Sequence, residues 1–402
     1  MSVGDGMRIG VVGAGARCKL ALNAIDPAVM AASVAARIVA VADTTPQGRT
    51  RAAQIFGDDV AVVPDVGSLI ERGLDAAFVT TPDFTHAELA VQLLRAGVAV
   101  YLEKPLAITI EGADEVLRAA YESGSKLYVG HNMRHMPVVR LMRSLIQDGV
   151  IGQVKAVWCR HFVGNGGDYY FKDWHAERAK TTGLLLQKGA HDIDVIHWLA
   201  GGYSVDVTGM GDLAIYGDVT DRADNSGRVM GDWFSYDNWP PASQTELNPV
   251  IDVEDISMVS MRLDNGVLAS YEQCHFTPDY WRNYTVIGTE GRLENYGDSA
   301  GGTVRVWNKR TSYNESGDAS YPIPEGEGGH NGADALTVAE FLRFVELGAA
   351  TDTSPVAARN AVAAGVAATE SLRDGSTPRR VPELEPELLD YFAHHQKRRG
   401  VA

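Results

Sequence analysis

At 402 residues the chain is too long for one small core, and two domains are the natural expectation. Hydrophobic residues make up 45% and charged residues 22%, an ordinary globular balance, and the formal net charge of −16 excludes general affinity for nucleic acid or anionic membrane while leaving room for a local basic pocket. Three cysteines, Cys18, Cys159 and Cys274, lie far apart without metal-ligand spacing, which excludes a disulfide framework. No apolar run approaches ~18 residues, and "MSVGDGMRIG" lacks the order of a secretory leader, so a cytoplasmic protein is expected.

The first third alternates short apolar runs with longer helical stretches. "RIGVV", "RIVAVA", "VAVV", "AAFVTT", "VAVYLE" and "KLYVGH" are apolar throughout, as strands buried on both faces should be. Between them, segments such as "HAELAVQLLRAG" and "GADEVLRAAYESG" have helical periodicity and end in Gly. That alternation predicts a doubly wound parallel sheet over residues 1–132. The remainder, residues 133–402, reads as an α+β domain with a largely antiparallel open sheet. "QVKAVWCRHF" is a strand, "ISMVSMRLDNGVLASYEQC" is a hairpin turning at Asn265-Gly266, and "NYTVIGTEGRLENY" and "TVRVWN" supply further strands. Residues 203–250, rich in Asp, Gly, Pro and Trp, are expected to be an irregular insertion near the site or an interface. "ADALTVAEFLRFVELG" and "AARNAVAAGVAATESLRDG" are terminal helices.

Two sites of chemistry stand out. In "RIGVVGAGARCKLA", Gly13 and Gly15 fall where the first strand meets a helix, a place where glycines let a pyrophosphate approach backbone N–H groups. Cys18 occupies the third-glycine position, so the fingerprint is imperfect. The second strand ends in Asp43, whose carboxylate suits ribose hydroxyls and repels a 2′-phosphate, favouring NAD over NADP; Arg17 and Arg49 can offset that repulsion. The other site is "GLLLQKGAHDIDVIHWLAGG", where Gln187, His191 and Asp194 share one face if the segment is a single helix. His191, Asp192 and His197 do not have convergent metal-ligand spacing, and no metal is expected.

"VTTPDFTHAELA", "VYLEKPLA", "GHNMRHMP" and the His191 segment together resemble the glucose–fructose oxidoreductase / inositol dehydrogenase (Gfo/Idh/MocA) family of NAD(P)-dependent sugar oxidoreductases. The likeness is dense from Met7 to about Gly202. It implies a Rossmann domain and a sheet domain whose open face makes a homodimer or homotetramer. It places Ala16, Arg17, Thr81, Pro82, His86, Glu103, Lys104 and Asn132 on the cofactor. It also implies that Lys104 stands between the nicotinamide ribose and the substrate hydroxyl, and that His191 is the catalytic histidine. Many family members carry Asp four residues before that histidine; here the position is Gln187, followed by Lys188. A neutral Gln orients a base without charging it; Asp192 or Asp194 can supply the charge, although Asp194 matches a family position that is often structural. Trp174 can stack on a sugar face, and Arg134, His135, His175, Arg178, Lys180 and Lys188 lie near the same wall. If several converge they form a cationic pocket for a sugar acid, phosphate or sulfonate. Three functions are therefore expected in competition: a sugar dehydrogenase, a redox-neutral NAD⁺-dependent glycosidase such as a sulfoquinovosidase, and a sugar- or nucleotide-sensing regulator.

Overall fold

The computed structural model describes residues 6–326 and 328–397. They form two compact units. The first combines residues 6–132 with Asp334–Arg359 and residues 383–397; the second combines Met133–Ala333 with Asn360–Pro382.

In the first unit the six apolar runs become strands β1 (Met7–Val12), β2 (Ala36–Ala42), β3 (Ala61–Val63), β4 (Ala76–Val79), β5 (Ala99–Leu102) and β6 (Leu127–Val129). All pair in parallel in the order β3-β2-β1-β4-β5-β6. The order reverses between β1 and β4, and in such sheets the crevice beyond the strand ends at the reversal is where ligands bind.

The terminal helix "ADALTVAEFLRFVELG" does not belong with the second domain, where the division at residues 133–402 would place it. As Ala333–Leu347 it packs Val338, Phe341, Leu342 and Phe344 into the core of the first unit. The Phe341 ring meets Phe78 and Tyr101 edge-on, each at 5.5 Å. The physical reason is coverage. A doubly wound sheet must bury both faces, and this helix buries aromatic surface of β4 and β5 that water would otherwise reach.

The second unit holds a nine-stranded sheet. Its strands are β7 (Val154–Phe162), β8 (Ser204–Asp212), β9 (Ile256–Leu263), β10 (Leu268–Cys274), β11 (Trp281–Gly288), β12 (Arg292–Tyr296), β13 (Thr303–Trp307), β14 (Ala319–Pro322) and β15 (Arg379–Arg380). The order is β14-β13-β12-β11-β7-β10-β9-β8-β15, antiparallel except where β10 runs parallel to β7. Burial alternates along β7, β9 and β10, so one face is packed and the other open. Trp158, Met258 and Leu268 stand half exposed on the open face.

The expected insertion at 203–250 starts too early, because its first ten residues include β8. There Val, Thr and Met alternate with Asp and Gly, and the strand pairs with β9 along its length. Irregular chain follows β8, but it is firmly attached. The Asp255 carboxylate accepts three successive N–H groups, from Ala214, Ile215 and Tyr216, at 2.8, 2.8 and 2.9 Å. Tyr216, Val219, Leu247 and Val253 then share a small core with Tyr170, Phe171, Ala176 and Leu184. The helix Gly189–Ala200 lies on the packed face against β7 and β10, and nearly all of its residues are buried.

Candidate active site

At the end of β1, Gly13 takes φ 89°, and a Cβ there would lie 2.7 Å from Thr81 Cγ2. Only glycine satisfies both constraints. A Cβ on Gly15 would meet nothing, so the turn opens outward where backbone must be approached closely. The chain continues as a 3-10 helix, Ala16–Ile25, with Cys18 fully buried at the third-glycine position. Asp43 stands at the end of β2. Its Oδ2 accepts from the Ala14 N–H at 2.9 Å, and its Oδ1 from the N–H and hydroxyl of Thr45 at 2.8 and 2.7 Å. Four accepting lone pairs leave the carboxylate capacity for ribose hydroxyls. Arg49 donates to the backbone oxygens of Asp43 and Thr44.

The strand end that carries Lys104 is held rigidly. Glu103 Oε2 accepts the Lys104 N–H at 3.1 Å, and its Oε1 accepts Arg17 Nε at 2.6 Å. Arg17 turns its other two nitrogens onto Asp334, at 2.6 and 2.7 Å, and Asn132 donates to the same carboxylate at 2.9 Å. Burial works against the Arg17 charge, but Glu103 and Asp334 outweigh it and hold its pKa above the ordinary value. Arg17 is thus committed to this clamp rather than to offsetting the repulsion at Asp43. Behind Lys104, the buried His86 ring ties two strand-end loops together. Its Nδ1 lies 2.7 Å from the Pro105 oxygen and its Nε2 3.0 Å from the Thr81 oxygen. Pro82 follows Thr81 and caps the short 3-10 turn Asp83–Thr85. The Lys104–Pro105 peptide is cis.

In the second unit, Gln187 closes a one-turn helix, Leu184–Gln187, and Lys188 separates it from the helix Gly189–Ala200 that carries His191. The expected single helical face is interrupted there. Gln187 and His191 are both buried. Arg134 closes its fork on Asp194, with two contacts of 2.7 Å. Arg282 Nε lies 3.0 Å from Asp192 Oδ1, though its N–H is not aimed along that line, so the attraction is between charges. His197 Nε2 accepts the Ser204 N–H at 3.1 Å, which takes it away from His191 and Asp192.

The cations expected along this wall divide into two sets. His135 Nδ1 is 2.8 Å from Arg140, Arg178 donates to the Asp252 oxygen at 2.8 Å, and Lys180 pairs with Glu177 at 2.9 Å. The rest gather round one aromatic ring, that of Tyr170. The Lys188 ammonium stands 5.9 Å over it, and His175, stacked on Trp174 at 3.7 Å, meets it edge-on at 5.5 Å. His275 meets the same ring at 5.1 Å.

Residues 7–131 match the NAD-binding Rossmann fold of an oxidoreductase family, and residues 143–381 match that family's C-terminal alpha/beta domain. The chain belongs to the Gfo/Idh/MocA family. Among similar proteins, the putative oxidoreductase YteT of Bacillus subtilis is 27% identical over 67% of this chain and 72% of its own length. A 2,7-anhydro-N-acetylneuraminate hydratase of Mediterraneibacter gnavus is 33% identical over 51% of this chain, a match spanning 56% of the hydratase. Inositol 2-dehydrogenase of Rhizobium meliloti is 30% identical over 54% of this chain and 62% of its own length. Levoglucosan dehydrogenase, solved with NADH and levoglucosan, shares the fold at TM-score 0.76 and 20% identity, over 94% of this chain and all of that one.

The Rossmann domain of this Gfo/Idh/MocA chain is NAD-binding. Its residues fit the group: an outward-opening glycine turn, a carboxylate at the end of β2, and a lysine fixed at the end of β5. Several participants carry no local sequence signal. Asp334 lies far downstream of the motifs it supports. Gly48 allows the Asp43 carboxylate its place, since a Cβ there would lie 2.1 Å from it. His161 and His275 were legible in principle. They fall on the packed faces of β7 and at the end of β10, at alternate positions where an ordinary core carries apolar residues. Burial first, then Arg282, lowers His161 to about 3 against the opposing pull of Asp192. Burial, with His161 and Lys188 adding to it, holds His275 well below the ordinary histidine range.

Proposed function

We propose that this protein takes a hydride from a ring hydroxyl carbon, C3 of a sugar or glycoside, and that the preferred substrate bears an anionic group. The observation that carries the reading is the clamp on Lys104: Asp334, Arg17, Asn132 and Glu103 are all engaged in holding one strand end beside the nucleotide turn. Bound NAD supplies the hydride acceptor. In this reading His191 accepts the hydroxyl proton, Lys104 steadies the forming alkoxide, and Gln187 orients the imidazole without charging it. A positioned base contributes ~10²–10⁴-fold to such a step. The anionic preference rests on Lys188, whose ammonium stands over the Tyr170 ring; His275 is held neutral by burial and His175 is paired with Asp173. Arg134, Arg178 and His135 are engaged elsewhere and are left out of it. The open sheet face, with Trp158 and Met258, supports assembly into a homo-oligomer.

Gln187 keeps a second reading in view, the redox-neutral one. With no carboxylate four residues before His191, a transient oxidation at C3 that acidifies C2, followed by elimination, water addition and return of the hydride, is also open. A hydratase among the relatives favours it. The test is turnover with NAD⁺ on free sugars and chromogenic glycosides, neutral and acidic. Steady NADH formation supports net oxidation. Aglycone release without net NADH, with deuterium entering C2 from solvent, supports the redox-neutral path. Lys188→Met raises KM for the acidic substrate at least 10-fold more than for its neutral analogue; equal effects remove the anionic reading.

A further inference from the structure

The two carboxylates nearest His191 in sequence have a different use from the one the missing family Asp suggests. Asp192 is fully buried: its Oδ1 accepts from the Tyr284 hydroxyl and is paired by charge with Arg282 at 3.0 Å, and its Oδ2 takes His161 Nδ1 and the Tyr271 hydroxyl at 3.0 Å each. These partners come from β7, β10 and β11, so one side chain fastens the helix to three strands. Asp194 is fastened separately by Arg134, from the 3-10 turn Asn132–His135. An α-helix advances about 100° per residue. Asp192 therefore lies about 100° to one side of His191 and Asp194 about 60° to the other. Each carboxylate is faced by a guanidinium that cancels its charge at contact distance. We propose that Asp192 and Asp194 are positioning residues: two arginine-locked carboxylates bracket His191, fix the azimuth from which its imidazole projects, and do not charge it.

The inference rests on His191 being the base of the proposed reaction, and it is tested by a readout that needs no turnover. The carbon–proton signal of the His191 imidazole is assigned by its loss in His191→Asn and followed by NMR against pH. Asp192→Asn/Arg282→Gln removes both charges together, so no buried charge is stranded. In that variant the titration midpoint of His191 stays within about 0.3 of wild type, while the single sharp signal broadens or splits. NADH affinity is unchanged, and kcat on any substrate the wild type turns over falls at least 10-fold. A midpoint lower by about one unit would make Asp192 the charge partner of His191 and overturn the proposal. A signal as sharp as wild type would overturn it too. If the paired variant does not fold, Tyr271→Phe/Tyr284→Phe removes two donors at constant charge, with the same broadening expected and an unaltered signal contradicting it. A wild type that turns over no sugar would defeat the proposed function and leave these signals readable.

Discussion

A methyl group on Gly48 would land 2.1 Å from the Asp43 carboxylate, inside any permitted contact. Gly48→Ala therefore drives that carboxylate off the hydrogen bonds it accepts from Ala14 and Thr45. The predicted result is NADH binding at least 10-fold weaker, measured by fluorescence titration, with a loss of stability of about 1–3 kcal/mol from overpacking. Binding equal to wild type would remove Asp43 from the ribose site. At this scale the sequence exposes residues that sit in runs, such as Gly13, Glu103-Lys104-Pro105 and Gln187 with His191. It conceals those whose role is defined only by a distant partner. Nothing around Asp334 announces that Arg17 reaches it, and nothing near Arg282 announces Asp192.

Among elements, the His191 helix with its strands is the most unusual. An ordinary core at β7 and β10 would be apolar, yet here it holds imidazoles, an arginine and a carboxylate. Burial, only partly opposed by Asp194, lowers His197 to about 4, and His161 is lowered to about 3. Both values are below the unfolded value of about 6.5, so the unfolded chain binds more protons as pH falls from 6.5. Stability is therefore full above that pH and declines by about 1.4 kcal/mol per unit for each histidine, until the folded form titrates in turn. Urea midpoints from pH 7 to pH 4.5 should show this decline, and His197→Asn should flatten it by about the share of one histidine. An unchanged slope in that variant would contradict the burial argument. The strands themselves were largely legible, because pure apolar runs and alternation report burial on two faces or one. β8 was not, since its Gly and Asp residues imitate a loop and only pairing with β9 makes it a strand.

At the scale of the whole molecule, the first unit is not contiguous in sequence. Local periodicity reveals that Ala333–Leu347 is a helix and says nothing of which sheet it covers. Phe341 is fully buried between Phe78 and Tyr101. Phe341→Ala should cost about 3–5 kcal/mol, with added NADH recovering part of the loss because only the folded unit binds it. A loss under about 1 kcal/mol would show the helix to be dispensable there. The proposed chemistry gives Lys104 and His191 each a part in the oxidation of a sugar hydroxyl. It is tested most directly by comparing wild type, Lys104→Met and His191→Asn for single-turnover oxidation of the best substrate with NAD⁺, alongside NADH affinity. Each variant is expected to lose about 10²-fold or more in rate, with His191→Asn binding NADH as wild type does; either variant keeping the wild-type rate would remove that residue from the chemistry.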